Sequence, residues 1–145
     1  LEHGIEVALE LQFRKTGDLG RGARMVKKIL VVDDSEAEVR LIQSFLQQGG
    51  FQTVGISDPT KVEEMIEEER PNLILLDVVM PLRNGFQVCR DLKGQELYSK
   101  IPVVLVTSKS APSDRYWGEQ QGANGYVAKP FTPDELINTV KRLAE

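Results

Sequence analysis

A chain of 145 residues, 41% hydrophobic and 28% charged, has the size and make-up of one globular domain with a substantial core. One cysteine, Cys89, and one histidine, His3, leave no intrachain disulfide, thiolate metal cluster or His-pair zinc motif, and they argue against a His-dependent triad. The net charge is −4, and no apolar run approaches the ~18–20 residues that span a bilayer, so the expected partners include neither nucleic acid nor membrane, and the expected location is cytoplasmic.

Charge is unevenly spread. Residues 1–28 carry six basic and four acidic side chains, whereas the rest carries twelve basic and eighteen acidic. Residues 1–24 stand apart in pattern as well. Ile5, Val7, Leu9, Leu11 and Phe13 alternate as a half-buried strand would, while Ile5, Leu9 and Phe13 also suit one helix face. The Gly-rich stretch "TGDLGRGARM" reads as a linker, and Met25 is a candidate internal start. The segment is read as an N-terminal extension, either a loose tail or a piece that docks on a neighbour.

From Lys27 onward short apolar runs alternate with helical periodicity. "KKILVV" predicts a strand, and residues 36–48 a helix with Val39, Ile42, Phe45 and Leu46 on one face, ended by Gly49-Gly50. "FQTVGIS" predicts a second strand. Pro59 opens a second helix bearing Val62, Met65 and Ile66. "LILLDVV" predicts a third strand, apolar on both faces, followed by the loop "MPLRNG" and a helix from Phe86 to Leu92. "VVLVTS" predicts a fourth strand, residues 112–121 a fourth helix, "GYVAKPF" a fifth strand, and Pro133 to Leu143 the last helix. Five β/α units with strands apolar on both faces imply a parallel sheet covered by helices on both sides. Such sheets bind ligands at the carboxyl ends of their strands.

Those ends carry Asp33-Asp34, Asp77, Thr107-Ser108 and Lys129-Pro130. Several have plain structural readings. Asp34 or Ser35 can cap the next helix, and Ser35 with Glu38 fits a capping box. Thr107 suits an ordinary strand end, and Lys129 an exposed lysine. Asp77 is harder to place so, because a buried unpaired carboxylate costs several kcal/mol. Clustered acids also raise one another's pKa values. A hard divalent cation on carboxylate oxygens resolves both problems, and Mg²⁺ suits a sparse oxygen-only site. With a metal, a hydroxyl and a lysine beside it, Asp77 can act as a phosphoryl-accepting nucleophile. No residue of the set is an evident base for turning over an external substrate.

"ILVVDDS", "LILLDVVMPLRNGF", "VVLVTS" and "GYVAKPF", in this order, with 30 residues from Asp77 to Thr107 and 22 from Thr107 to Lys129, make residues 27–144 resemble the receiver domain of bacterial two-component response regulators. The resemblance implies a flavodoxin-like, doubly wound α/β fold, with a five-stranded parallel sheet in order 2-1-3-4-5 and five helices, over a receiver domain at 25–145. It implies Asp77 as phosphoacceptor. Mg²⁺ would be held by Asp33, Asp34, Asp77 and the backbone carbonyl of Val79. Thr107, Ser108 and Lys129 would bind the phosphoryl group, Tyr126 would be the switch aromatic, and the bond before Pro130 would be cis. The implied partners are a sensor histidine kinase or histidine phosphotransfer protein and a downstream effector protein. His3 lies in the extension, so the phosphoryl donor is expected on another protein.

The expectation is therefore a signalling protein rather than an enzyme, a stand-alone single-domain regulator or a receiver cut from a longer protein. "RYWGEQQGANGYVAKPF" further resembles regulators of twitching motility and phototaxis. Val79 and Lys109 occupy positions that tune phosphoryl lifetime in such domains. Two other functions compete. A phosphohydrolase of related architecture would place a second acid two residues after the nucleophile, where this chain has Val79. A phosphorylation-independent interaction domain would keep the acids without using them.

Overall fold

The computed structural model of the protein describes residues 26–144, so the expectations for residues 1–24 and Met25 lie outside the described residues. The elements alternate strictly. They are β1 (Lys28–Val32), α1 (Glu36–Gln48), β2 (Gln52–Ile56), α2 (Val62–Glu69), β3 (Leu73–Leu76), α3 (Gly85–Lys93), β4 (Val103–Thr107), α4 (Pro112–Gln120), β5 (Gly125–Ala128) and α5 (Pro133–Leu143). All strand pairs are parallel, in the order β2-β1-β3-β4-β5. This is the doubly wound, flavodoxin-like topology expected from the sequence.

The side-chain period of two in a strand divides the core into two layers. Ile29, Val31, Leu73, Leu75, Val104 and Val106 pack with Val39, Ile42 and Leu46 of α1 and Leu136 and Val140 of α5. The intervening residues, Leu30, Val32, Ile74, Leu76, Val103 and Leu105, pack on the opposite face with Val62 and Ile66 of α2 and Val88 and Leu92 of α3. Helix α4 contributes only Gly118 to the fully buried set.

Element ends are set by local chemistry. Gly49 donates its N–H to the carbonyls of Phe45 and Leu46 at 3.1 and 3.0 Å. Gly50 then turns the chain at φ 93°, the left-handed conformation that glycine adopts without a Cβ penalty. The sequence pattern ran several elements too long. The third strand stops at Leu76 rather than Val79, and the fifth at Ala128 rather than Phe131. The first turn after Pro59 is a separate 3₁₀ turn, Pro59–Lys61, whose amide at Thr60 is capped by Asp58 at 2.9 Å. The third helix starts at Gly85 because Asn84 and Gln87 form a reciprocal capping box.

Candidate functional site

In the β1–β3 pairing Val32 stands opposite Leu76. The residue after each is an aspartate, so Asp33 and Asp77 leave the sheet side by side. Both are nearly enclosed, 2% and 8% exposed. Their backbone is tied into the sheet edge, Asp77 N–H to the Val32 carbonyl at 3.0 Å and Asp33 N–H to the Ile56 carbonyl at 3.3 Å. Asp34 sits at the exposed rim, and one carboxylate oxygen from each of Asp33, Asp34 and Asp77 lies within 4.8 Å of the others.

Division of labour at the start of α1 explains the doubled acid. Ser35 is the N-cap, its hydroxyl accepting from the Glu38 N–H at 3.3 Å. Asp33 accepts from the Ser35 N–H at 3.0 Å. Capping therefore falls to Ser35 and not to Asp34, and the reciprocal half of the anticipated box is replaced by a different contact. The Glu38 carboxylate lies 3.4 Å from the Lys129 ammonium.

Lys129 is the hub of the charges. Its Nζ donates to Asp33 Oδ2 at 2.9 Å and lies 3.8 Å from Asp77 Oδ2. Burial alone would lower its pKa, but the hydrogen bond to Asp33 and the charges of Asp77, Asp33 and Glu38 outweigh burial and raise it. Asp77 moves the other way from an ordinary paired acid. Burial pushes its carboxyl above the usual value, Lys129 pulls it down, and the Asp33 charge pushes it up again. One ammonium against this many acids leaves Asp77 under-compensated. Hard oxygen donors, close-set and carrying excess negative charge, suit a divalent cation.

The next strand end supplies the hydroxyl. Thr107 is fully buried at the end of β4, and its carbonyl accepts the Lys129 N–H at 2.9 Å, which fixes Lys129 beside it. The Lys129–Pro130 peptide is cis. Thr107 Oγ1 accepts from the Lys109 N–H at 3.2 Å. Tyr126 on β5 sends its hydroxyl to the Lys109 carbonyl. Ser108, next after Thr107, is exposed. Val79 is 56% exposed and donates its N–H to Asp77 Oδ1 at 3.4 Å.

Three participants were not anticipated from the sequence. Glu38, expected as a capping partner of Ser35, instead turns its carboxylate to Lys129, a long-range contact that no local spacing signals. Arg83, in the loop after Asp77, forms a two-pronged pair with Glu63 at 2.8 and 2.5 Å and reaches Asp91 at 3.1 Å. No local pattern signals that network. Gly85 sits where any Cβ would collide with the Asp77 carbonyl oxygen, so its lack of a side chain lets α3 close against the site.

A family model, the response regulator receiver domain, matches residues 29–141. Over 119 residues the chain is 40% identical to the alkaline phosphatase synthesis transcriptional regulatory protein PhoP of Bacillus subtilis, covering 82% of this chain and 49% of that protein. It is 36% identical to Protein PilH of Pseudomonas aeruginosa over 113 residues, covering 78% of this chain and 93% of PilH. The chain thus spans about half the length of PhoP and nearly all of PilH. Among solved structures it is similar to the receiver domain of the sensor histidine kinase PA1611 of Pseudomonas aeruginosa, crystallised with a magnesium ion in its active-site cleft. That likeness has a TM-score of 0.74 and 28% identity, and it covers 83% of this chain and 98% of the other.

Proposed function

The chain belongs to the response regulator receiver domain family of two-component signalling, and from that premise we propose that Asp77 accepts a phosphoryl group from a phosphohistidine on a sensor histidine kinase or phosphotransfer protein. An Asp77 carboxylate oxygen attacks phosphorus. The P–O bond forms as the P–N bond breaks, and its electron pair stays on the imidazole nitrogen. The reaction needs Asp77 ionised, and a carboxylate made more basic by burial is the better nucleophile.

Asp33, Asp34 and Asp77 with the main-chain carbonyl of Val79 would hold magnesium, which when bound supplies charge neutralisation for the phosphoryl oxygens. Lys129 contributes from the other side. Its ammonium already stands 3.8 Å from Asp77 Oδ2, and an added phosphoryl group, bearing about −1.5 to −2 charge, draws it away from Asp33. Thr107 donates its hydroxyl to a phosphoryl oxygen. In moving, it leaves space that favours the inward position of the Tyr126 ring, with the Tyr126 hydroxyl on the Lys109 carbonyl. The surface of α4, β5 and α5 then changes and a downstream effector protein reads it.

The observation that supports this most is the meeting of three carboxylates within 4.8 Å around a buried nucleophile whose only close cation among the described residues is Lys129. The finer reading, a cytoplasmic regulator with an output in motility or taxis, is supported by the stretch from Arg115 to Phe131. Beryllofluoride with magnesium, followed by amide NMR, tests the switch. Coordinated shifts at Thr107, Lys109 and Tyr126 that require magnesium are expected. Unchanged spectra would favour a phosphorylation-independent scaffold, and steady phosphate release from small phosphoesters would favour a hydrolase.

A further inference from the structure

One face of α4 makes a set of contacts that the phosphoryl chemistry does not require. The Arg115 guanidinium carbon lies 5.1 Å from the centroid of the Tyr126 ring, within cation–π range. Gly118, three residues on and therefore on the same helical face, lies against the same ring. A Cβ there would stand 3.2 Å from a Tyr126 ring carbon and 3.0 Å from Leu105 Cδ1. Asp114, one turn before Gly118, pairs with the Lys109 ammonium at 3.8 Å and accepts the Ala111 N–H at 3.1 Å.

These contacts converge on one peptide segment. The Tyr126 hydroxyl donates to the Lys109 carbonyl, while the Lys109 N–H donates to Thr107 Oγ1 at 3.2 Å. Lys109 is thus bonded through its backbone to both the hydroxyl and the aromatic group. The ring packs against the core layer that contains Leu105, so this is its inward position. Rotating it outward breaks the hydroxyl contact, leaves the Arg115 cation without its ring and empties the space over Gly118.

We infer that the Asp114–Arg115–Gly118 face of α4 is a positioning seat that holds the Tyr126 ring against the β4–α4 loop, and so sets how far the switch is already thrown before a phosphoryl group arrives. The role in switching rests on the reading of Thr107 and Tyr126 as the moving parts; the seat itself rests on the contacts. Arg115, Gly118 and Asp114 act through Tyr126 and Lys109 and touch no reacting atom. A ligand that binds only the ring-inward state has an apparent affinity proportional to the population of that state. Removing an exposed cation–π partner therefore changes that affinity modestly.

The test uses the full chain with fluorotyrosine, the Tyr126 signal among three tyrosines being assigned by its loss in Tyr126→Phe. In Arg115→Ala the Tyr126 fluorine resonance is expected to move toward its solvent-exposed position, and the magnesium–beryllofluoride midpoint to rise about two- to fivefold. Arg115→Lys, which keeps a cation, restores much of both. Gly118→Ala, which fills the ring's space, moves the resonance the same way. An unchanged Tyr126 resonance in both Arg115→Ala and Gly118→Ala overturns the seat. A parent protein blind to beryllofluoride overturns the phosphoryl reading instead, and the fluorine signal, which needs no phosphoryl chemistry, still decides the seat.

Discussion

Arg83 and Lys129 each gather several carboxylates, with opposite consequences. Arg83 spreads its planar fork over both oxygens of Glu63, reaches Asp91 and also donates to the Pro59 carbonyl at 3.1 Å. That geometry favours the charged forms. Its hydrogen bond holds the Glu63 carboxyl below its ordinary value, and Glu63 in turn raises Arg83. Lys129 offers a single ammonium to Asp33, Glu38 and Asp77, and the Asp77 carboxyl ends above its ordinary value, chiefly from burial. The first cluster holds Glu63 and Arg83 in their charged forms and ties α2 to the loop after β3. The second sets one ammonium against three carboxylates and so carries the larger excess of negative charge. A carboxylate whose surroundings oppose its ionisation is the better candidate for chemistry.

The contrast breaks most visibly at Lys129. Lys129→Met leaves Asp33, 2% exposed, without its cation, and is expected to cost about 2–3 kcal/mol in metal-free buffer. Magnesium should recover a large part of that loss in denaturant midpoints. Arg83→Met is expected to cost less, about 1–2 kcal/mol, because Glu63 and Asp91 retain solvent access. Magnesium should recover none of it.

The two clusters also respond to pH with opposite sign. Glu63, depressed in the folded state, contributes stability above its ordinary value of 4.5, and that contribution is lost as pH falls through the folded value. Arg83→Met should therefore flatten the acid limb of the stability curve. Asp77, raised in the folded state, does the reverse. Without metal, stability is lost as pH rises from the ordinary value of 3.8 through the folded one, and the penalty is complete above it. Asp77→Asn should accordingly stabilise the metal-free protein at neutral pH by about 1 kcal/mol, a rise of roughly 3–5 °C in Tm, while abolishing magnesium-dependent stabilisation. An unaltered Tm with magnesium response intact would erase the distinction between the clusters. The smallest effect is at Val79, an exposed side chain beside Asp77. Val79→Asn should change stability by less than about 0.5 kcal/mol, yet shorten the phosphoryl lifetime several-fold by giving an attacking water a hydrogen-bond partner. An equal or longer lifetime would contradict it.

The two clusters differ just as much in how visible they are in the sequence. Asp33, Asp34 and Asp77 follow directly on apolar strands, so strand periodicity and β/α alternation brought them to one edge without any tertiary information. Thr107 and Lys129 were legible for the same reason. Arg83, Glu63 and Asp91 come from a loop and two helix surfaces, where charged residues are ordinary, and only folding reveals them as partners. Strand ends were overestimated at Val78-Val79 because apolar character persisted beyond the last ladder bond. Val78 is buried in the core layer of α2 and α3 without belonging to β3. The α4 seat was invisible for another reason, since the stretch "DRYWG" shows Tyr116 and Trp117 most prominently. Both are exposed, while Arg115 and Gly118 meet the ring.

The central claim is that Asp77 carries the phosphoryl group. Labelled acetyl phosphate with magnesium, followed by mapping of the modified peptide, tests it most directly. The expected result is label confined to the peptide containing Asp77, not formed when magnesium is chelated beforehand and absent in Asp77→Ala. No label on the parent protein, or label that persists in Asp77→Ala, would contradict it.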